Sequence, residues 1–208
     1  MSIQVKYKGK IGCLFRFFGP RVPVDNLEAQ MVAMNYFVEQ QDWNVENIVV
    51  VSPDAGGVAR AKKFLGLMDS VGVKDCSLAM IIKQREGAGK IGSMHMVGSV
   101  KGKHAIIVDD MIDTAGTLTE ASKSLKEHGA LSVQCFATHG LFSGKAFDNI
   151  RNSDINKIII TNTIPAQSGE EELGEKIVRL SVAPILAEAI YRIQTRTSVS
   201  SLFSIPKK

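Results

Sequence analysis

Short β-branched runs alternate along the chain with amphipathic segments of about a dozen residues, a pattern that predicts alternating strands and helices. Ile48-Val49-Val50-Val51 is apolar throughout and ends in Ser52-Pro53-Asp54, after which residues 59–68 carry apolar side chains at helical spacing. Further strands are predicted over residues 77–83, 94–97, 105–108, 133–138, 158–161 and 178–180. Helices are predicted over residues 118–129, closed by glycine, over 145–152 and over 183–194. Upstream, Asp25 or Asn26 is placed to cap a helix running to Gln41, with Leu27, Met31, Met34 and Phe37 on one face. Ala105-Ile106-Ile107-Val108 is apolar on both faces, as a central parallel strand covered by helices must be. The expected fold is α/β, a doubly wound, mainly parallel sheet flanked by helices. Gly19-Pro20-Arg21-Val22-Pro23 interrupts any regular element and divides a tail over residues 1–21 from a domain over residues 22–208.

The 208 residues suit one domain, and 45% hydrophobic with 22% charged residues excludes disorder and disulfide scaffolds. The sequence has no apolar run of the roughly 18–20 residues that a membrane-spanning helix needs and no secretory signal, so a cytoplasmic protein is expected. Cys13, Cys76 and Cys135 are odd in number and lack metal-ligand spacing, and they read as reduced thiols. The formal charge of +4 comes from 25 basic and 21 acidic side chains. Lys6, Lys8, Lys10, Arg16 and Arg21 all lie in the first 21 residues, which contain no acid. The rest is nearly neutral, which argues against nucleic acid or a membrane surface as partner.

In open α/β sheets ligands bind beyond the carboxyl ends of the strands, and two such segments carry chemistry. After Val108, Asp109 and Asp110 bring two adjacent carboxylates into the cleft, and Asp113-Thr114-Ala115-Gly116-Thr117 then turns into a helix. Backbone N–H groups, threonine hydroxyls and a helix N-terminus in this order make a cradle for a phosphate dianion. Asp109 and Asp110 can accept from vicinal sugar hydroxyls or help hold Mg2+. After Val51, the Asp54-Ala55-Gly56-Gly57 turn lets backbone approach a diphosphate closely, and Asp54 can coordinate the metal that neutralises it. Gly87-Ala88-Gly89-Lys90-Ile91-Gly92 fits a dinucleotide fingerprint literally, but a strand rather than a helix is predicted to follow, so it reads as a loop.

The segment from Ala105 to Thr117 resembles the phosphoribosyl-diphosphate motif of the type I phosphoribosyltransferase fold, and Ser52-Pro53-Asp54-Ala55-Gly56-Gly57 resembles the diphosphate loop of ribose-phosphate diphosphokinases. Val22 to Leu27, Lys83-Gln84-Arg85, Ala137 to Gly144, Thr161 to Pro165, Leu186 to Ile190 and Ser198 to Phe203 resemble the same family in the same order. The likeness runs over about residues 17–208 and corresponds to the C-terminal part of that family's chain.

The resemblance implies transfer of the diphosphoryl group of Mg-ATP to the anomeric hydroxyl of ribose 5-phosphate, with release of AMP. It implies that Lys83 and Arg85 act from a flexible catalytic loop, and that Asp113, Thr114, Ala115, Gly116 and Thr117 hold the 5-phosphate. Asp109 and Asp110 would take the ribose hydroxyls, Asp54 to Gly57 the diphosphate, and Asp54 the magnesium ion. Ser198, Ser200 and Phe203 become candidates for a regulatory nucleotide or phosphate site between subunits, although helix packing also accounts for Phe203. His139 reads as a hydrogen-bonded histidine at the site's edge, while His95 and His104 have no catalytic role. The implied partners are ribose 5-phosphate, ATP, and further copies of the chain or a full-length synthetase.

The family's first domain, with most of the adenine contacts and a metal-binding histidine shortly before the Phe17-Phe18 stretch, has no counterpart here, and residues 1–16 contain no histidine. Mg-ATP binding by this chain alone is therefore expected to be weak, and a fragment of a longer enzyme is one reading. A non-catalytic, synthetase-associated regulatory subunit is a second. A nucleobase phosphoribosyltransferase is a third, sharing Asp109 to Thr117 but leaving Ser52 to Gly57 unexplained.

Overall fold

The computed structural model describes residues 2–3, 25–39, 47–73, 75–85 and 91–203. The basic cluster, the 19–23 boundary, Cys13 and the 86–90 loop lie outside the described residues. Nine strands and five α-helices are described: β1 (Ser2–Ile3), β2 (Asn26–Leu27), α1 (Gln30–Glu39), β3 (Ile48–Ser52), α2 (Val58–Ser70), β4 (Ser77–Arg85), β5 (Ile91–Val97) and β6 (His104–Ile112) come first. There follow α3 (Gly116–Glu127), β7 (Ser132–Gly140), α4 (Ala146–Arg151), β8 (Lys157–Thr161), β9 (Ile177–Leu180) and α5 (Ala183–Gln194).

Seven strands form one sheet in the order β5-β4-β3-β6-β7-β8-β9. Every neighbouring pair is parallel except β4 and β5. The expected doubly wound sheet is therefore present, with an antiparallel hairpin at one edge. β3 is buried along its whole length, and β6 is buried from Ala105 to Val108. Because side chains alternate across a strand, these two strands feed two cores at once. Val49, Val51 and Ile107 join Leu118, Ala121, Leu125 and Ile150 on one face. Val50, Ile106 and Val108 join Met34, Phe37, Phe64 and Phe136 on the other. There Phe64 meets Phe37 edge-on at 5.9 Å and stacks on Phe136 at 5.7 Å.

Two elements differ from the sequence pattern. The first helix starts at Gln30 rather than at Asp25 or Asn26, because Asn26 and Leu27 pair as a strand with Ser2 and Ile3. Val32 and Ala33 donate to the Ala29 carbonyl, which opens the helix instead. The second difference is the length of β4, which runs past Lys83 to Arg85 because β5 folds back and pairs with it across a register shift. Gly129 closes α3 as expected: at a φ of 87° it lets the chain reverse while Gly129 and Ala130 donate to the Lys126 and Leu125 carbonyls. Cys135 is buried and Cys76 half-buried, both as free thiols. No helix among the described residues is long and apolar enough to cross a membrane.

Candidate functional site

β3 and β6 are neighbours at the centre of the sheet, and they run in the same direction. Parallel pairing places the turns that follow both strands at one end, so residues 52–57 and 109–117 lie at the same end of the sheet although more than fifty positions separate them. Asp109 still pairs with Ala137 in the ladder between β6 and β7, which fixes its backbone at this end of the sheet. Its Oδ1 accepts from the Asp110 amide at 2.8 Å. Burial, reinforced by the neighbouring Asp110 side chain, pushes the Asp109 carboxyl from 3.8 up to about 6. The guanidinium of Arg60 opposes that rise.

Arg60 is the residue the sequence reading missed. It stands in the first turn of α2, where its Nη1 donates to Asp109 Oδ1 at 2.6 Å and its Nη2 lies 3.2 Å from Asp110 Oδ1. One signal was available in the sequence. A cation in the first turn of a helix opposes the helix dipole, so its presence there calls for a nearby carboxylate.

The turn after β3 is tightly built. The fully buried Ser52 hydroxyl donates to the Asp54 carbonyl at 2.6 Å, and Asp54 Oδ1 accepts from the Gly57 amide at 2.8 Å. A Cβ at Gly57 would stand 2.8 Å from Ser52 Oγ and 3.4 Å from Arg60 Nη1, so only glycine fits without displacing a neighbour. After β6 the chain leaves Asp113, Thr114 and Thr117 exposed, tucks Ala115 beneath them and enters the twelve-residue α3 at Gly116. The Thr119 amide and hydroxyl both bond the Ala115 carbonyl, at 2.9 and 3.0 Å. Ser143 donates to the Asp113 carbonyl at 3.1 Å, and Leu141 and Phe142 to that of Ile112. The start of this turn, Ile112 and Asp113, is thus braced by the turn after β7.

Other candidates fall elsewhere. Lys83 and Arg85 have their backbones in β4, opposite Met94 and Ile91 of the hairpin, rather than in a loop; their side chains lie outside the described residues. His139 is buried and shares a 2.7 Å hydrogen bond with Thr163 Oγ1, in keeping with its reading as a partnered histidine. His104 sits at the opposite end of β6, bonded to Ser132. The Ser198 carbonyl accepts from Arg192 of α5 and from Ser201, and Ser200 opens a 3-10 turn through Phe203, whose side chain is outside the described residues.

The donors at the site are oxygens. No group of three or more His, Cys, Asp or Glu that could cage a metal is present among the described residues. Mg2+ fits such a site, because it keeps several waters and is held by one or two carboxylates together with substrate phosphates. The exposed Asp54 carboxylate beside the double glycine suits that role.

The sequence model of the phosphoribosyl synthetase-associated domain matches residues 70–204. The ribose-phosphate pyrophosphokinase of Shewanella oneidensis is 45% identical over 183 residues, 88% of this chain and 55% of its own length. That of Aquifex aeolicus is 46% identical over the same shares. Among solved structures, phosphoribosylpyrophosphate synthetase from Mycobacterium smegmatis superposes with a TM-score of 0.71 at 36% identity, covering 85% of this chain and 54% of that one. The chain spans about half the length of the curated relatives it matches.

Proposed function

Because the chain belongs to the ribose-phosphate pyrophosphokinase family, we propose that it carries the ribose 5-phosphate and diphosphate sites of a ribose-phosphate diphosphokinase. The observation that supports this most is that the two turns follow neighbouring parallel strands, with Arg60 of α2, just past the first turn, bonded to both acids at the end of β6. A sugar phosphate bound across them would stand next to a diphosphate held by the double glycine.

In this reading the 5-phosphate sits on the amides and hydroxyls of Asp113, Thr114, Ala115, Gly116 and Thr117, aided by the positive end of α3. Asp109 and Asp110 accept from the ribose hydroxyls and so orient the anomeric hydroxyl toward the β-phosphorus of ATP. Gly56 and Gly57 admit the diphosphoryl group to the backbone, and Asp54 would hold magnesium. When bound, that ion neutralises charge on the diphosphate. Lys83 and Arg85 bring two cations to the transferring group, where positioning and charge stabilisation carry such reactions. Ser198, Ser200 and Phe203 remain the candidate regulatory element. Cytoplasmic location and self-association belong to the same proposal.

The test is AMP release from ribose 5-phosphate and Mg-ATP. Lys83→Ala should remove most of the rate, and an unchanged rate would overturn its assigned role. Calorimetry should show ribose 5-phosphate binding that weakens with Asp113→Ala; no binding at millimolar ligand would sink the site. A second reading, a subunit that acts on a full-length synthetase, is favoured by the description of the matching family domain as synthetase-associated. It requires that adding this chain change the rate of a full-length enzyme.

A further inference from the structure

We propose that Asn149 is a positioning residue that holds the phosphate-binding turn in its binding conformation by clamping the Thr114 carbonyl from α4. The inference rests on the reading of Asp113 to Thr117 as the 5-phosphate site and names a residue outside that turn on which the site depends.

Ala115 adopts φ 61° and ψ 2°, a left-handed conformation that residues with a Cβ avoid. It is also buried, so the turn cannot ease the strain by lifting into water without giving up its packing. Something must hold the peptide in place. The peptide group between Thr114 and Ala115 is the one whose orientation fixes φ at Ala115, and its carbonyl accepts from Asn149 Nδ2 at 2.8 Å. Asn149 is itself fixed, its amide bonded to the Lys145 carbonyl and its own carbonyl lying 3.3 Å from the Thr119 hydroxyl. That hydroxyl also bonds the Ala115 carbonyl. Asn149 and Thr119 therefore grip the carbonyls on either side of the Ala115 backbone, one from α4 and one from α3. With both held, the amides of Ala115, Gly116 and Thr117 are preset to receive an anion, and the ligand has less ordering to do on binding.

A side chain that merely supports α4 would behave differently from one that holds Ala115, and glycine separates the two. Glycine takes positive φ without cost, so in an Ala115→Gly background the clamp has little left to do. The experiment is a double-mutant cycle with Asn149→Ala and Ala115→Gly, read as ribose 5-phosphate affinity by calorimetry. It is also read as hydrogen exchange of the Thr119 amide, which bonds the Ala115 carbonyl, in the ligand-free chain.

Asn149→Ala should weaken binding about five- to tenfold and speed Thr119 exchange by a similar factor, the loss of roughly one hydrogen bond. In the Ala115→Gly background the same change should alter each by less than about twofold. Equal losses in both backgrounds would overturn the proposal, as would no change on Asn149→Ala. Failure of the functional reading is distinguishable: the parent chain then binds no ribose 5-phosphate, while the Thr119 exchange still supports or overturns the clamp.

Discussion

Arg60→Met keeps the aliphatic stem of the side chain and removes the guanidinium that joins α2 to the two acids of β6. That guanidinium lies 2.6 Å from Asp109 and 3.2 Å from Asp110, on a side chain 17% exposed that faces carboxylates 28% and 19% exposed. Removing one member of a fully buried ion pair costs about 3–5 kcal/mol, because the other charge is left without a partner. Water reaches all three groups here, which lowers the expectation to about 2 kcal/mol at neutral pH. For a chain of this size that is a loss of roughly 4–8 °C in melting temperature. The cost should depend on pH in a defined direction. Asp109 titrates at 3.8 when unfolded and at about 6 when folded, so the folded chain holds a proton that the unfolded chain has released, and stability falls as pH rises between those values. Without Arg60 the Asp109 carboxyl moves higher still, and the fall becomes steeper and extends above pH 6. Near pH 5 Asp109 is mostly neutral in the folded state, so the variant should lose only about half as much stability there. Urea denaturation of parent and variant at about pH 5 and about pH 7.5 measures both quantities. Equal losses at the two pH values would refute the claim that Arg60 acts by neutralising the acid pair.

Three further outcomes follow from particular contacts. Asp109→Asn removes the group responsible for the falling stability between pH 3.8 and about 6, so denaturation midpoints should flatten across that window while ribose 5-phosphate affinity drops. Gly57→Ala places a Cβ 2.8 Å from Ser52 Oγ and should cost about 1–3 kcal/mol by overpacking; the cost should shrink in a Ser52→Ala background, and a denaturant cycle showing no such relief would refute the stated clash. Phe64→Ala empties the centre of the Phe37, Phe64 and Phe136 cluster and should cost about 3–5 kcal/mol, measurable as a lower denaturation midpoint without loss of the helical circular dichroism signal at low temperature.

Most of the candidate site is legible in the sequence because its parts are continuous in the chain. Asp113 to Thr117 and Asp54 to Gly57 carry their own turn chemistry, and the apolar runs of β3 and β6 announce the buried strands that deliver them. The sequence pattern starts the first helix too early because a cap at Asp25 or Asn26 satisfies local rules equally well, and only pairing with Ser2 and Ile3 shows that Asn26 and Leu27 are extended. Arg85 falls beyond the predicted strand over residues 77–83 for a related reason. Polar residues after an apolar run look like the end of a strand, until β5 returns to pair with them.

By itself the sequence determined the fold class, the two glycine-containing turns after β3 and β6 and the membership of a family, since periodicity and turn residues act over a few positions. Tertiary structure alone decided how those parts combine. The Arg60 contact spans 49 positions and the Asn149 contact 35, and neither partner is marked in the other's neighbourhood. Sheet order made β3 and β6 neighbours, and burial raised Asp109. A carboxylate's charge state and a strained peptide's support depend on what surrounds them in space, and the packing of distant segments sets that surrounding.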